Sequence, residues 1–404
     1  MTQNTFTMGK GTVTSPQGFI ASGIYVGLKR TRKDIALLQS TQPAVVAGLF
    51  TTNKVPAHCV VFNKQQVQDG LARALIVNSG NANCCTGEQG WYDTLEMAQR
   101  TADLLDLSSS DVLVLSTGVI GELLPMDKVR KGIEMAANAL SEQGGGDAAQ
   151  AIMTTDMVPK HFSVAFELDG VPCTIGVMAK GSGMINPNLA TMFCIFTTDV
   201  AIEQPLLQEA FRYAINDSLN MLTVDGEMST NDTALIFANG AAGNSKITEK
   251  NDQYTRFAGA LKSVATAATK AIAKDGEGAT KVVTVTVTGA ATEEDAALAA
   301  KAIANSMLVK TAIFGKDPNW GRVVQSAGAS GAQINADKFS VEFAGVQVAH
   351  DGGTQPFDEE KMADMLERKD IDVRIDLAVG DAEATVFTCD LTYDYIRINA
   401  EYHT

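Results

Sequence analysis

Two periodicities of apolar residues run through the chain. Residues 44–50 (AVVAGLF), 74–78 (ALIVN) and 111–115 (DVLVL) are short apolar runs and predict strands buried on both faces. Strands are also predicted at 163–168, 173–179, 192–199, 339–348, 371–377 and 385–388, and 281–287 (KVVTVTV) alternates with period two, as a half-buried strand does. Helical spacing appears in Leu95, Ala98, Ala102 and Leu105, and again in Val129, Ile133, Ala136 and Leu140 behind Pro125. It recurs over 205–219, 252–274, 293–305 and 358–367, with a short helix at 148–153. Asp317 and Pro318 read as the N-cap and first residue of one more helix. Strands interleaved with helices predict a mixed α/β architecture. SEQGGGD at 141–147 is the clearest linker, although no domain boundary is required there.

A chain of 404 residues, 45% hydrophobic and 20% charged, can bury a large core. Its net charge of −15 argues against nucleic acid and anionic membrane as partners, which call for a basic face. Six cysteines without a CxxC pair read as small core residues, and four histidines never fall at metal-ligand spacing, so no metal is expected. No apolar run approaches the ~20 residues of a membrane span. The N-terminus lacks a signal-peptide layout, and the expected location is the cytoplasm.

The chemistry centres on KGSGMINPNLATM, residues 180–192, a turn-rich run that leads into an apolar strand. Such a run delivers Thr191 to the mouth of a strand, where its hydroxyl can act as a nucleophile. Pattern alone equally allows a plain loop before a strand, with Thr present for its β-propensity. A threonine hydroxyl needs a base. Scission of Ala190–Thr191 would create one, since a free α-amine with a pKa of ~8 lies on the same residue. STGVIG (116–121) ends a predicted strand in Thr117-Gly118, the kind of strand end that can build an oxyanion hole, although most such ends are plain turns. By the same bland standard, Lys180 is a solvated charge, 223–232 is a solvated turn, and Gly276-Glu277-Gly278 is a helix cap leaving Glu277 exposed. Asn399 to Thr404 would then be a fraying tail.

STGVIG, KGSGMINPNLATM, VDGEMSTND (224–232), FGKDPNWGR (314–322) and the terminal Asn399 to Thr404 together resemble the ornithine acetyltransferase family, the glutamate N-acetyltransferases of arginine biosynthesis. The resemblance runs from the Gly18-Phe19 region to Thr404, although Leu189, Cys194 and Glu227-Met228 are departures from the family's pattern. It implies a four-layer αββα sandwich like that of N-terminal-nucleophile hydrolases. It also implies self-cleavage into residues 1–190 and 191–404, which pack as one catalytic unit and assemble as a tetramer of two of each. The implied reaction carries acetyl from N-acetylornithine to glutamate on Thr191, without a cofactor. Acetyl-CoA is left open as a second donor. Thr117 and Gly118 are the implied oxyanion hole, and Thr154 (or Thr155), Lys180, Thr191, Glu277, Asn399 and Thr404 the implied substrate contacts.

Two competitors remain. An amidohydrolase or aminopeptidase of similar fold would use water as acceptor. A binding protein would keep the fold uncut, but it has no physical need of Ala190-Thr191, Thr117-Gly118 and Lys180 together.

Overall fold

The computed structural model describes residues 6–186 and 192–401. The chain opens with β1 (Thr7–Gly9), β2 (Phe19–Ile24), β3 (Ile35–Phe50), α1 (His58–Gln66) and β4 (Leu71–Asn81). α2 (Gly87–Leu105), β5 (Val112–Val119), α3 (Met126–Asn138) and α4 (Gly145–Ala151) follow. Next come β6 (Lys160–Leu168), β7 (Val171–Lys180), β8 (Phe193–Thr198), α5 (Gln204–Asn216), β9 (Thr233–Ala238) and α6 (Asp252–Lys274). Their strands form one sheet of order β1-β6-β7-β8-β9-β3-β4-β5, with β2 also paired to β3.

β3 carries this sheet from one layer to another. Its register against β4 shifts between Gln39 and Ala44, where Pro43 removes a ladder donor. Before the shift β3 pairs with β2 and β4; beyond it, Val45 to Phe50 pair with β9. The two layers share a core of Leu38, Leu75, Val77, Leu113 and Leu115 with Met178, Phe193, Ile195, Leu235 and Phe237. Outside one layer, α1, α2 and α3 cover Leu37, Ile76 and Val114; outside the other, α5 and α6 cover Val177, Phe196 and Ile236. The architecture is thus the expected αββα sandwich. Both faces of its central strands are buried, which is why they read as continuous apolar runs.

The sequence pattern did not announce a second sheet. It is built from β10 (Val282–Ala290), α7 (Glu293–Asn305), α8 (Met307–Phe314), α9 (Trp320–Gly328), β11 (Ser340–Phe343), β12 (Val346–His350) and β13 (Gly353–Thr354). α10 (Glu359–Leu366), β14 (Asp370–Asp376) and β15 (Ala382–Cys389) complete it, and α11 (Tyr393–Glu401) ends the described chain. Its strand order is β13-β12-β11-β14-β10-β15. Val283, Val285 and Val287 point from β10 into a core shared with α7 and α9.

Several local expectations need correction. The 339–348 run is two strands joined by a turn at Ala344-Gly345, both at positive φ. α9 starts two residues later than expected, because Asn319, not Asp317, accepts the capping bond from Arg322 N–H. SEQGGGD is no linker: Ala21 and Ser141 exchange backbone hydrogen bonds, and a Cβ on Gly144 would lie 1.7 Å from the Ala21 carbonyl oxygen. Glycine there lets α4 lie directly on β2. Among the described residues, no single helix is long and apolar enough to cross a membrane.

Candidate active site

The parallel strands β4 and β5 end side by side, pairing Ser79 with Thr117 and Gly80 with Gly118. Gly118 has φ +138°, and a Cβ there would lie 2.3 Å from the Gly80 carbonyl carbon, so only glycine permits this approach. Asn231 fastens the strand end by donating from Nδ2 to the carbonyls of Ser116 (2.6 Å) and Ala82 (2.7 Å). Lys180, the last residue of β7, donates from Nζ to Thr117 Oγ1 at 3.2 Å. Because the ammonium can only donate, the Thr117 hydroxyl hydrogen stays available to a further acceptor. Lys180 also pairs across the β7–β8 ladder with Phe193, and Met192 just before it accepts from Thr233 N–H.

A buried triad of charges lies behind Lys180. Asp156 Oδ1 accepts from Gly181 N–H (2.8 Å) and Lys160 Nζ (2.6 Å), while Oδ2 accepts from Thr154 N–H (2.9 Å). Lys160 Nζ reaches Asp275 Oδ2 at 2.5 Å, and Asp275 in turn accepts from Ser182 Oγ through its backbone carbonyl. Burial alone would raise the Asp156 carboxyl, but the Lys160 and Lys180 ammoniums and the Gly181 N–H outweigh it and bring the pKa to about 2. Burial pulls the Lys180 ammonium below the usual lysine range, opposed by the charges of Asp156, Asp232 and Glu277. Asp232 is itself pushed well above the carboxylate range by burial, and its Oδ2 has no hydrogen-bond partner among the described residues.

The segment after Lys180 is held from outside. Asp225 accepts from Met184 N–H (2.7 Å), Ile185 N–H (2.9 Å) and the Tyr395 hydroxyl (3.3 Å), and Val224 N–H donates to the Ile185 carbonyl. The 223–232 stretch is therefore a clamp on the pre-strand loop rather than a solvated turn. Glu277 likewise departs from expectation: its relative exposure is only 9%, and its backbone N–H donates to the Ser182 carbonyl. Gly183 makes room for it, since a Cβ there would lie 2.4 Å from the Glu277 carboxylate carbon. Asn399 on α11 donates from Nδ2 to Glu277 Oε2 at 2.8 Å, so the tail is ordered at that point.

Thr117, Lys180, Glu277 and Asn399 thus converge, and half-buried Thr154 joins them through Asp156. Ala190, Thr191 and Thr404 lie outside the described residues. FGKDPNWGR is not brought to this site; its residues Lys316 to Gly321 line a separate cavity of about 600 Å³ beside Phe357 and Met362. Sequence reading missed Asp156, Lys160 and Asp275, whose signal was nearness to Thr154 and Glu277; Asp225 lies inside VDGEMSTND but reads there as part of a solvated turn. Among the described residues, no group of three His, Cys, Asp or Glu side chains is placed to hold a metal ion.

An αββα sandwich with a Thr-Gly strand end, a half-buried lysine and a clamped loop ahead of a strand makes a class of site suited to chemistry at an acyl carbonyl, whether by transfer or by hydrolysis. The ArgJ family model matches residues 20–404, and the chain belongs to that family. It is 48% identical over 398 residues to the arginine biosynthesis bifunctional protein ArgJ of Caldanaerobacter subterraneus subsp. tengcongensis, covering 98% of this chain and 99% of the relative. It is 49% identical over 397 residues to the protein of the same name from Symbiobacterium thermophilum, again covering 98% and 99%. The crystal structure of the Bacillus halodurans protein of that name is 38% identical with a TM-score of 0.50, and 52% of this chain covers 98% of that one.

Proposed function

We infer that this chain cuts itself at Ala190–Thr191 and then transfers acetyl from N2-acetyl-L-ornithine to L-glutamate on Thr191, with acetyl-CoA as a second donor. The observation that carries this reading is the Lys180–Thr117 contact at 3.2 Å, at the ladder position two residues from Thr191. It leaves a hydroxyl donor at the strand end for a developing oxyanion, beside Gly118 N–H.

In the acylation step the α-amine of Thr191 takes the hydroxyl proton while Oγ attacks the acetyl carbonyl carbon. Thr117 and Gly118 bear the charge of the tetrahedral oxygen. The C–N bond then breaks, and ornithine departs with the proton on its nitrogen. Glutamate reverses these steps with its own α-amine. Lys180 suits an α-carboxylate, while Glu277, with Thr154, Asn399 and Thr404, completes the substrate pocket. Residues 1–190 and 191–404 remain associated as one unit and assemble as two of each. A solved relative whose nearly whole chain matches about half of this one supports the division.

A denaturing gel should show two bands, with Thr191 at the N-terminus of the second; a single full-length band after long incubation sinks the self-cleavage reading. Thr191→Ala should give an uncut chain without acetyl transfer. Acetate released without glutamate would instead indicate an amidohydrolase.

A further inference from the structure

Lys29 lies in the loop between β2 and β3, and no part of the reaction above uses it. That loop is folded around buried Asp34, whose carboxylate accepts from the backbone N–H groups of Val26 (2.8 Å), Leu28 (2.7 Å) and Lys29 (3.2 Å). The fold sends the Lys29 stem across the ends of β4 and β5. A Cβ on Gly80 would lie 3.0 Å from Lys29 Cγ, and Gly80 is the ladder partner of Gly118. Lys29 Nζ continues to the Met153 carbonyl at 2.7 Å, one residue before Thr154. Two lysines therefore flank the strand end, Lys180 on the Thr117 side and Lys29 on the Gly80 side.

Among the described residues, no carboxylate lies within ion-pair distance of the Lys29 ammonium. The charges of Asp34 and Asp156 favour its charged form, and Arg32 and Lys180 oppose it. Burial lowers its pKa to about 8, so it is still mostly charged at neutral pH. Its Nζ donates to two carbonyls, Met153 at 2.7 Å and Ala151 at 3.4 Å, and an ammonium has three donors, so one donor and an unpaired charge remain for an anion from outside. The acetyl donor N-acetylornithine carries one carboxylate and a side-chain ammonium; the acceptor glutamate carries two carboxylates. Only the acceptor has a second anion for a second cation.

We propose that Lys29 binds the side-chain carboxylate of the acceptor and so selects glutamate. This rests on the acetyl-transfer reading, and the half-reactions separate the two. Ornithine released in the first turnover without acceptor reports acetyl-enzyme formation; KM and kcat with glutamate and with glutamine report the acceptor step. Lys29→Met should form acetyl-enzyme within about twofold of the normal rate but raise KM for glutamate roughly tenfold or more, the loss expected of one charge-assisted contact. KM for glutamine should not change, so the preference between the two collapses. Lys29→Gln, which keeps a donor for the Met153 carbonyl and hence the fold, should behave likewise. Lys29→Arg should retain the preference. An equal loss with both acceptors, or a matching fall in the ornithine burst, would overturn the proposal and leave Lys29 as a prop for Met153. An unaltered enzyme without an ornithine burst fails the acetyl-transfer reading instead.

Discussion

Two lysines form ion pairs in opposite surroundings. In the sandwich, Lys160 sits between Asp156 and Asp275 with all three side chains at most 8% exposed. In the six-stranded module, Lys316 meets Glu367 with 45% and 61% of their side chains exposed. Both parts bury charge beside their strands: the sandwich buries Asp34, Asp156, Lys160 and Asp232, and the six-stranded module buries Lys281, Lys310 and Asp390. In each part the buried charges hold backbone: Asp156 accepts from Thr154 and Gly181 N–H, Asp390 accepts from Thr280 and Lys281 N–H, and Lys310 donates to the Cys389 carbonyl, whereas the exposed Lys316–Glu367 pair joins two side chains. Buried pairs are poor stabilisers against an apolar replacement but costly to break. Their presence here therefore points to placement rather than stability.

Urea unfolding can break or sharpen this contrast. Lys160→Met strands two buried carboxylates and should cost about 3–5 kcal/mol, the largest effect expected; a loss below about 1 kcal/mol would place the triad in water-like surroundings. Acid should act next. The folded pKa of Asp156, about 2, lies below its ordinary value of 3.8, so its contribution is complete above that value and is lost as pH falls towards 2. About 2 kcal/mol should disappear over that window in the unaltered chain and be missing from the acid limb of Asp156→Asn. Ile375→Val, in the module core, should cost about 1 kcal/mol and leave acetyl transfer unchanged. Lys316→Met should cost less than about 1 kcal/mol. Equal costs for the two lysines would erase the contrast.

Legibility followed the range of the forces. Apolar spacing is local, and α6 and α7 lie at 252–274 and 293–305 as that spacing predicts. β3 was only half visible, because Gln39 to Pro43 interrupts the pattern where the register shifts, and Ile35 to Leu38 then look unconnected to Ala44 to Phe50. The family resemblance named Thr117, Lys180, Glu277 and Asn399, and these do meet. The carboxylates that hold them in place were not legible. Asp156 bonds a neighbour two residues away and another twenty-five residues on, and Asp225 bonds residues some forty positions before it. No periodicity encodes such pairings. Glu277 misled for a related reason: its flanking glycines suggest an exposed turn, but Gly183 approaches from a distant loop and covers it.

The strand order β7-β8-β9-β3 has a consequence for biogenesis. The proposed cut at Ala190–Thr191 would yield one product carrying β7 and β3 and another carrying β8 and β9, with the second interleaved between strands of the first. Neither product has a sheet of its own to form around that seam. Halves made by the proposed cut would be a record of a fold completed while they were one molecule, and separate expression should not reproduce it. Once unfolded, a cut molecule has lost the covalent order that threaded it, so its lifetime is set by how slowly it opens rather than by an equilibrium it can re-enter.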